Sequence, residues 1–268
     1  MALILSEEQK LLKDSATEFL AMNAPVEQFR DLRDNNYKAF DESLWTKIVE
    51  MGWTALTIPE EFDGLEFGYV GLGQILEEMG KNLTKAPLFS SIVLGANVLT
   101  HSKNQELKKE WLPQLMEGNT RVAVALDEHT YFDPTAIATT AKSTSNGYSL
   151  SGKKTMIIDG ASADAFIVAA NTEEGEVALF MVAADSKGVT VTTDILLDAG
   201  TYATVVFDQV EVVASNRISG AGEGATLLNH ILNTASICLS AEMLGMFTEA
   251  FGQTVTYLKE REQFGKRI

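Results

Sequence analysis

The sequence predicts an α+β protein of several domains: a helical N-terminal domain, a small antiparallel β-barrel or sandwich, and a long C-terminal helix. Three observations predict it. Up to about residue 120, apolar residues recur at helical spacing. Between Arg121 and about Ser219 the pattern changes to short β-branched runs of period two. From about Glu223 to Arg261 the helical period returns, enough for a rod of roughly 60 Å at about 1.5 Å per residue. Boundaries at 1–120, 121–219 and 220–268 follow.

In the first segment, Ser6 with Gln9 makes a capping-box start, and Leu11, Leu12, Ala16, Phe19 and Leu20 follow at helical spacing. Asp41 can cap "ESLWTKIVEM", which Gly52 closes. Leu72, Ile75, Leu76 and Met79 form a third stripe, expected to stop at Gly80. "SSIVLGANVL" and "NQELKKEWLPQLMEG" read as two more helices, the second bounded by Asn104 and Gly118. The glycine-rich stretch "GWTALTIPEEFDGLEFG", with Pro59, reads as a loop.

In the second segment, "VAVAL", "YSLSGKKTMII", "AFIVAA", "VALFMVA", "VTVTT" and "TVVFDQVEV" read as strands, six or seven in all. Asn146-Gly147 and "TEEGE" suit hairpin connections. Strands at this spacing point to an antiparallel barrel or sandwich.

The last segment carries two apolar stripes. One is Leu228, Leu232, Ala235, Leu239, Met243, Met246 and Ala250; the other includes Leu227, Ile231, Cys238, Ala241, Leu244, Phe251, Val255 and Leu258. A helix apolar on two sides needs cover on two sides. The end, "YLKEREQFGKRI", reads as helix to its last full turn.

Composition narrows the function. A net charge of -16 disfavours nucleic acid and anionic membrane surfaces, which need clustered Lys and Arg. The lone cysteine, Cys238, cannot form an internal disulfide and suits a reducing cytoplasm. His101, His129 and His230 lie far apart in sequence, without metal-ligand spacing. "MALILSEEQK" lacks a basic n-region, unlike a signal peptide, and no unbroken run of about 18 apolar residues occurs. "GAGEGA", Gly220 to Ala225, fits a Gly-x-Gly-x-x-Ala dinucleotide motif, but no βαβ unit surrounds it, so a glycine-rich helix entry is expected.

Four motifs in order resemble the acyl-CoA dehydrogenase family across essentially the whole chain. "GWTALTIPEEFDG" looks like its Gly-Trp…Pro-Glu-Glu-Tyr-Gly-Gly loop, and "LPQLMEGN" like its Leu-Pro-x-Leu-x-x-Gly. "GYSLSGKKTMIIDGASADAFIV" looks like its Gly-Tyr-x-Leu-x-Gly-x-Lys-x-Trp-Ile-Thr-Asn-Gly…Ala-Asp strand pair. "GEGATLLNHIL…LG…YLKEREQFGKRI" looks like its long helix. The resemblance implies that this helix begins a C-terminal four-helix bundle, incomplete in this chain. It also implies FAD, an acyl-CoA substrate and, by family analogy, an electron-transfer flavoprotein partner. In such enzymes a carboxylate takes the α-proton while hydride from the β-carbon goes to the flavin.

Against the family pattern, the flavin positions are substituted. The Thr-Glu-Pro-x-Ala-Gly-Ser-Asp loop reads "LDEHTYFD", with Leu126 for Thr, Thr130-Tyr131 for Ala-Gly and Phe132 for Ser. On the strand, Met156 replaces Trp and Ile158 replaces Thr. Tyr131 and Phe132 are expected to fill cofactor space. Counting back from Gly245, the helix location for the catalytic base and its Arg holds Ala235 and Ser236, so no catalytic residue is expected within this chain. Glu242, also on the helix, is expected to pair across a bundle rather than act as base. Asn233 stands where the family has an Asp near CoA and can still donate a hydrogen bond.

The terminal motif is retained. In the family its Arg, Gln or Thr, and Phe reach the FAD of a neighbouring subunit; here they are Arg261, Gln263 and Phe264. The resemblance thus implies FAD-dependent α,β-dehydrogenation of an acyl-CoA, of fatty-acid or steroid side-chain type. This chain would be the partner subunit of a hetero-oligomer, completing another chain's FAD site. Two alternatives remain open: a non-catalytic scaffold with no flavin of its own, and an active dehydrogenase lacking its last helices.

Overall fold

The computed structural model describes residues 4–198 and 200–267; Met1–Leu3 of the N-terminal stretch lie outside the described residues. The chain divides into two compact units. One takes residues up to 31, 67–84 and those from 236; the other takes 32–66 and 85–235.

The first unit is helical. Helix α1 (Glu7–Asn23) starts with the expected capping box: Ser6 Oγ accepts from the Gln9 amide at 3.2 Å, and the Gln9 side chain accepts from the Ser6 amide at 2.9 Å. Helix α2 (Val26–Asp34), absent from the sequence reading, follows and runs across the division into the second unit. Helix α4 (Tyr69–Asn82) buries Leu72, Ile75, Leu76 and Met79, as its spacing predicts, and α1 packs on it through Ala16 and Leu20. It does not stop at Gly80. It runs to Asn82 and closes on Leu83 in the left-handed region, φ 51°. Gly80 has another use. A Cβ there would lie 2.0 Å from the carbonyl oxygen of Glu242 in α7 (Gly224–Glu260), and one at Gly245 of α7 would lie 1.8 Å from that of Glu77. Glycine on both sides lets the two backbones touch.

In the second unit, α3 (Glu42–Glu50) is capped by Asp41, whose carboxylate accepts from the amides of Ser43 and Leu44, and Gly52 follows in the left-handed region as expected. Trp45 donates to the Gly118 carbonyl at 3.1 Å, and Trp53 is fully buried. The Pro59 loop holds two single 3-10 turns. Phe89–Ala96 is a π-helix, continued by α5 (Asn97–His101); α6 (Gln105–Met116) carries the predicted Asn104 cap.

The strands are β1 (Val122–Ala125), β2 (Thr140–Thr144), β3 (Gly147–Ile158), β4 (Ala165–Thr172), β5 (Val177–Ala183), β6 (Val189–Ile195) and β7 (Thr201–Val213). They form one sheet, ordered β1-β4-β2-β3-β7-β6 with β5 on the other side of β4. The sheet is mixed rather than wholly antiparallel: β4 pairs in parallel with both β1 and β2. β4 is buried at nearly every position, so it reads as a continuous apolar run, as a strand covered on both faces does. The sheet curls until Phe180 of β5 bridges Arg217, beyond β7. Phe166 and Phe207 meet edge to face in its core, centroids 6.3 Å apart. Strand β2 is missing from the sequence reading because of its five residues Ala141 alone is buried.

"GAGEGA" is a helix entry. The Gly222 amide donates to Glu176, and a Cβ at Gly224 would lie 2.1 Å from the Val177 carbonyl. Along α7, Leu228, Ile231, Ala235 and Cys238 are buried, a line that draws on both predicted stripes. Ile237, Leu244, Phe247, Phe251 and Leu258 are exposed. Although no unbroken apolar run occurs, α7 is the one helix among the described residues long and apolar enough to cross a membrane. Its buried line, together with Glu242 and Glu249, is the pattern of a helix that packs against protein.

Candidate functional site

Leu126 follows β1 directly and is buried, and the loop after it carries "DEHTYFD". A buried ion pair pins this loop. Lys154 of β3 has no exposed surface; its Nζ donates to the Leu126 carbonyl at 3.0 Å and to Glu128 Oε1 at 2.7 Å. The other carboxylate contacts of Glu128 are the amides of Ala138 and Thr139, at 2.7 and 2.9 Å, so one side chain closes both ends of the loop. Burial pushes Glu128 up, but the bonds from Lys154 and Thr139 outweigh it and hold the carboxyl below its ordinary range. Burial pushes Lys154 down, against the pull of Glu128. Burial likewise pushes Asp127 up, and one of its oxygens is buried without a hydrogen-bond partner. None of this network is legible in the sequence; its members meet only because β3 lies beside the loop.

The loop is sewn to β3 a second time: the Thr155 amide donates to the Asp127 carbonyl at 2.7 Å, and its hydroxyl to the His129 carbonyl at 3.1 Å. Beyond Thr155 the strand is irregular. Its register on β7 shifts between Lys154 and Ile157, and Met156 takes φ 54°. Asp159, after the strand, takes φ 55°. Non-glycine residues in this region store strain, which recurs at functional sites.

The structure therefore brings three of the four flavin positions onto one rim: Leu126 at its base, Met156 on the bulge and Ile158 at its exposed end. Phe132 stands on the connected loop, 66% exposed. Tyr131, 63% exposed, stacks on His129 with centroids 5.1 Å apart. Both aromatics thus lie on the surface and not in a packed interior. No side chain at these four positions has a polar hydrogen to give an isoalloxazine ring, and the Thr155 hydroxyl is committed to His129. The rim does not fit a flavin held through side-chain hydrogen bonds.

On α7, Asn233 is exposed and Ala235 is buried, so the base location faces protein and carries no functional group. The terminal motif differs from expectation. The helix ends at Glu260, its last bond running from the Arg261 amide to the Tyr257 carbonyl at 2.8 Å. The chain then turns back: β8 (Glu262–Gln263) pairs with β9 (Lys266–Arg267). Phe264 and Gly265 make the turn with φ 54° and 75°, two successive left-handed residues as a tight hairpin requires. Arg261 lies over the Tyr257 ring, 5.4 Å from its centroid, and Phe264 is 98% exposed. Arg261, Gln263 and Phe264 are therefore on or beside a projecting hairpin, not on a helix.

One juxtaposition was hidden by sequence distance. His101 and His230 come together with ring centroids 4.3 Å apart in a cleft of about 400 Å³ at the start of α7. Among the described residues no third His, Cys, Asp or Glu joins them as a metal ligand.

Comparison with known proteins bears on this arrangement. Residues 6–119 match the acyl-CoA dehydrogenase N-terminal domain and residues 125–210 the acyl-CoA dehydrogenase middle domain. The chain is 32% identical over 88% of its length to acyl-CoA dehydrogenase FadE27 of Mycobacterium tuberculosis, of which it spans 61%. Its fold superposes on a chain of the ChsE4-ChsE5 complex from Mycobacterium tuberculosis with a TM-score of 0.88 and 28% identity, covering all of this chain and 71% of that one. The Tcur3481-Tcur3483 steroid ACAD gives a TM-score of 0.86 at 28% identity, covering 97% and 69%. Two matched domains in the expected order, on this helical and curled-sheet architecture, show that the chain belongs to the acyl-CoA dehydrogenase family.

Proposed function

We propose that this chain is a partner subunit in the FAD-dependent α,β-dehydrogenation of an acyl-CoA thioester, and that it completes the FAD site of a homologous subunit. The observation that carries the reading is an asymmetry. The rim of Leu126, Met156 and Ile158 gives a flavin no side-chain hydrogen bond, while Arg261, Gln263 and Phe264 project from the end of α7. The Arg261 guanidinium can pair with a pyrophosphate through its fork, and the exposed Phe264 ring can pack on the cofactor. FAD, when bound, supplies the hydride acceptor; in this reading the α-proton acceptor is the partner's, and Ala235 and Ser236 offer no carboxylate at the helix location. Asn233, exposed on α7, would hydrogen-bond the CoA moiety.

Two of the similar structures are described by paired protein names, and one of those is called a steroid ACAD. They support a hetero-oligomer acting on an acyl-CoA whose chain is borne by a bulky ring system; a cytoplasmic setting and an electron-transfer flavoprotein as acceptor enter the proposal by family analogy alone.

The test is reconstitution with the homologous subunit. A hydrogen bond to a charged group contributes about 1.5–3 kcal/mol, so Arg261→Ala should weaken FAD retention by about one to two orders of magnitude. Arg261→Lys should restore part of it, and the melting temperature of this subunit should hold in both. Expressed alone, the chain should carry substoichiometric flavin; stoichiometric FAD would overturn the rim reading. A complex that forms normally and retains FAD equally with Arg261→Ala would instead favour a scaffold subunit without a role at the cofactor.

A further inference from the structure

Below the rim lies a carboxyl group that the proposed function does not use. Asp159 follows β3 directly, and its carboxylate accepts from the Ser90 hydroxyl of the π-helix at 2.7 Å. Its backbone is fixed on both sides: its amide donates to the Thr201 carbonyl at 3.2 Å, and its carbonyl accepts from the Ser162 amide at 3.0 Å and hydroxyl at 3.1 Å. Lys85, on the segment before the π-helix, acts on it through charge. Of the groups that face Asp159 from these elements, among the described residues, Lys85 is the titratable one. Asp198, hydrogen-bonded by Tyr202, acts on Lys85 in turn.

Three features coincide here: a left-handed Asp, a bulged strand end with a second left-handed residue at Met156, and a π-helix. π-helical turns are rare and recur at functional sites. We infer that Asp159 with Ser90 and Lys85 forms a proton-controlled latch, which ties the bulged end of β3 to the π-helix when Asp159 is protonated and loosens that tie when it ionises. The protonated carboxyl keeps its bond from Ser90 with no charge to desolvate, whereas the ionised form holds a buried charge that the Ser90 bond and the Lys85 attraction only partly offset. Burial pushes Asp159 up to about 6, against the Ser90 bond and the Lys85 charge, so the change falls in the mildly acidic range. The inference goes beyond the proposed function and does not depend on it: the latch would make the rim carrying Met156 and Ile158 respond to pH, whatever that rim touches.

The experiment is a carboxyl carbon NMR titration of the wild-type chain. It is paired with amide hydrogen exchange, corrected for intrinsic rates, at pH 7.5 and pH 5 in wild type, Asp159→Asn and Lys85→Met. Asp159 should titrate near 6, and Lys85→Met should move it higher. Wild-type peptides covering residues 155–160 and 87–93 should exchange several-fold faster at pH 7.5 than at pH 5, and Asp159→Asn should exchange at the slower level at both. A midpoint near 4, a downward shift in Lys85→Met, or an undiminished pH response in Asp159→Asn would each overturn the latch. The wild-type titration decides the first point even where a variant folds poorly.

Discussion

Lys154 and Glu128 show what a single buried pair can hold. With side chains 0% and 7% exposed, neither charge has much water to fall back on. Removing one partner of such a pair typically costs about 3–5 kcal/mol, whereas replacing both with apolar groups is often neutral. Glu128→Ala should therefore destabilise by about 3–5 kcal/mol, and Glu128→Leu with Lys154→Met should recover most of it. Urea denaturation checks this; a loss under about 1 kcal/mol in Glu128→Ala would show that the loop is held by its backbone bonds. Asp159 presents the reverse situation. Between its ordinary 3.8 and about 6 the folded state keeps a proton that the unfolded chain gives up, so its contribution to stability falls as pH rises through that window. At about 1.4 kcal/mol per unit the ceiling is roughly 3 kcal/mol, less whatever solvent screens. Asp159→Asn should melt above wild type at pH 7.5 and level with it near pH 4; equal melting at both would put the ordinary carboxylate value on Asp159.

Helix α7 carries its own control experiment. Alanine is intrinsically better than glycine inside a helix by about 0.8–1 kcal/mol. At Gly252, where an added Cβ meets nothing within 4 Å, that preference should appear as a gain of about 0.5–1 kcal/mol. At Gly245 the same change drives a methyl to 1.8 Å from the Glu77 carbonyl, and overpacking typically costs about 1–3 kcal/mol. Gly245→Ala should thus destabilise while Gly252→Ala stabilises, as thermal melts of the two variants would show; the same sign in both would mean that α4 gives way freely. The comparison also explains what the sequence disclosed. The caps at Ser6, Asp41 and Asn104 are local chemistry and were legible. Gly80 looks like a helix stop in the sequence because glycine marks a stop and a close crossing alike, and only the partner backbone tells them apart. β2 lacks an apolar alternation and exists through its pairing with β3 and β4. The terminal hairpin is hidden in the sequence because Glu260 to Gln263 favours helix and Phe is an unusual residue for a left-handed turn. At the rim, the substitutions were legible through resemblance. The Glu128–Lys154 and Ser90–Asp159 contacts were not, since they join residues far apart in sequence.

For the molecule as a whole, the outer faces of α7 govern its behaviour in water. Met243, Leu244, Phe247, Phe251 and Leu258 are exposed, and burying one such side chain is worth about 1.5–3 kcal/mol. A dimer or larger assembly through this helix is expected at micromolar concentration. Phe247→Glu with Phe251→Glu should shift it to monomer by light scattering, and a wild type already monomeric would contradict the idea. The division into two units has an optical consequence. All three tryptophans, Trp45, Trp53 and Trp111, lie in the sheet-containing unit. Their emission reports on that unit, whereas far-ultraviolet ellipticity also registers α1, α4 and the second half of α7. Because α7 contributes residues 224–235 to one unit and 236–260 to the other, fluorescence and circular dichroism should trace a single melting curve. If ellipticity falls while the tryptophans still glow as in the native protein, the helix has parted near residue 235.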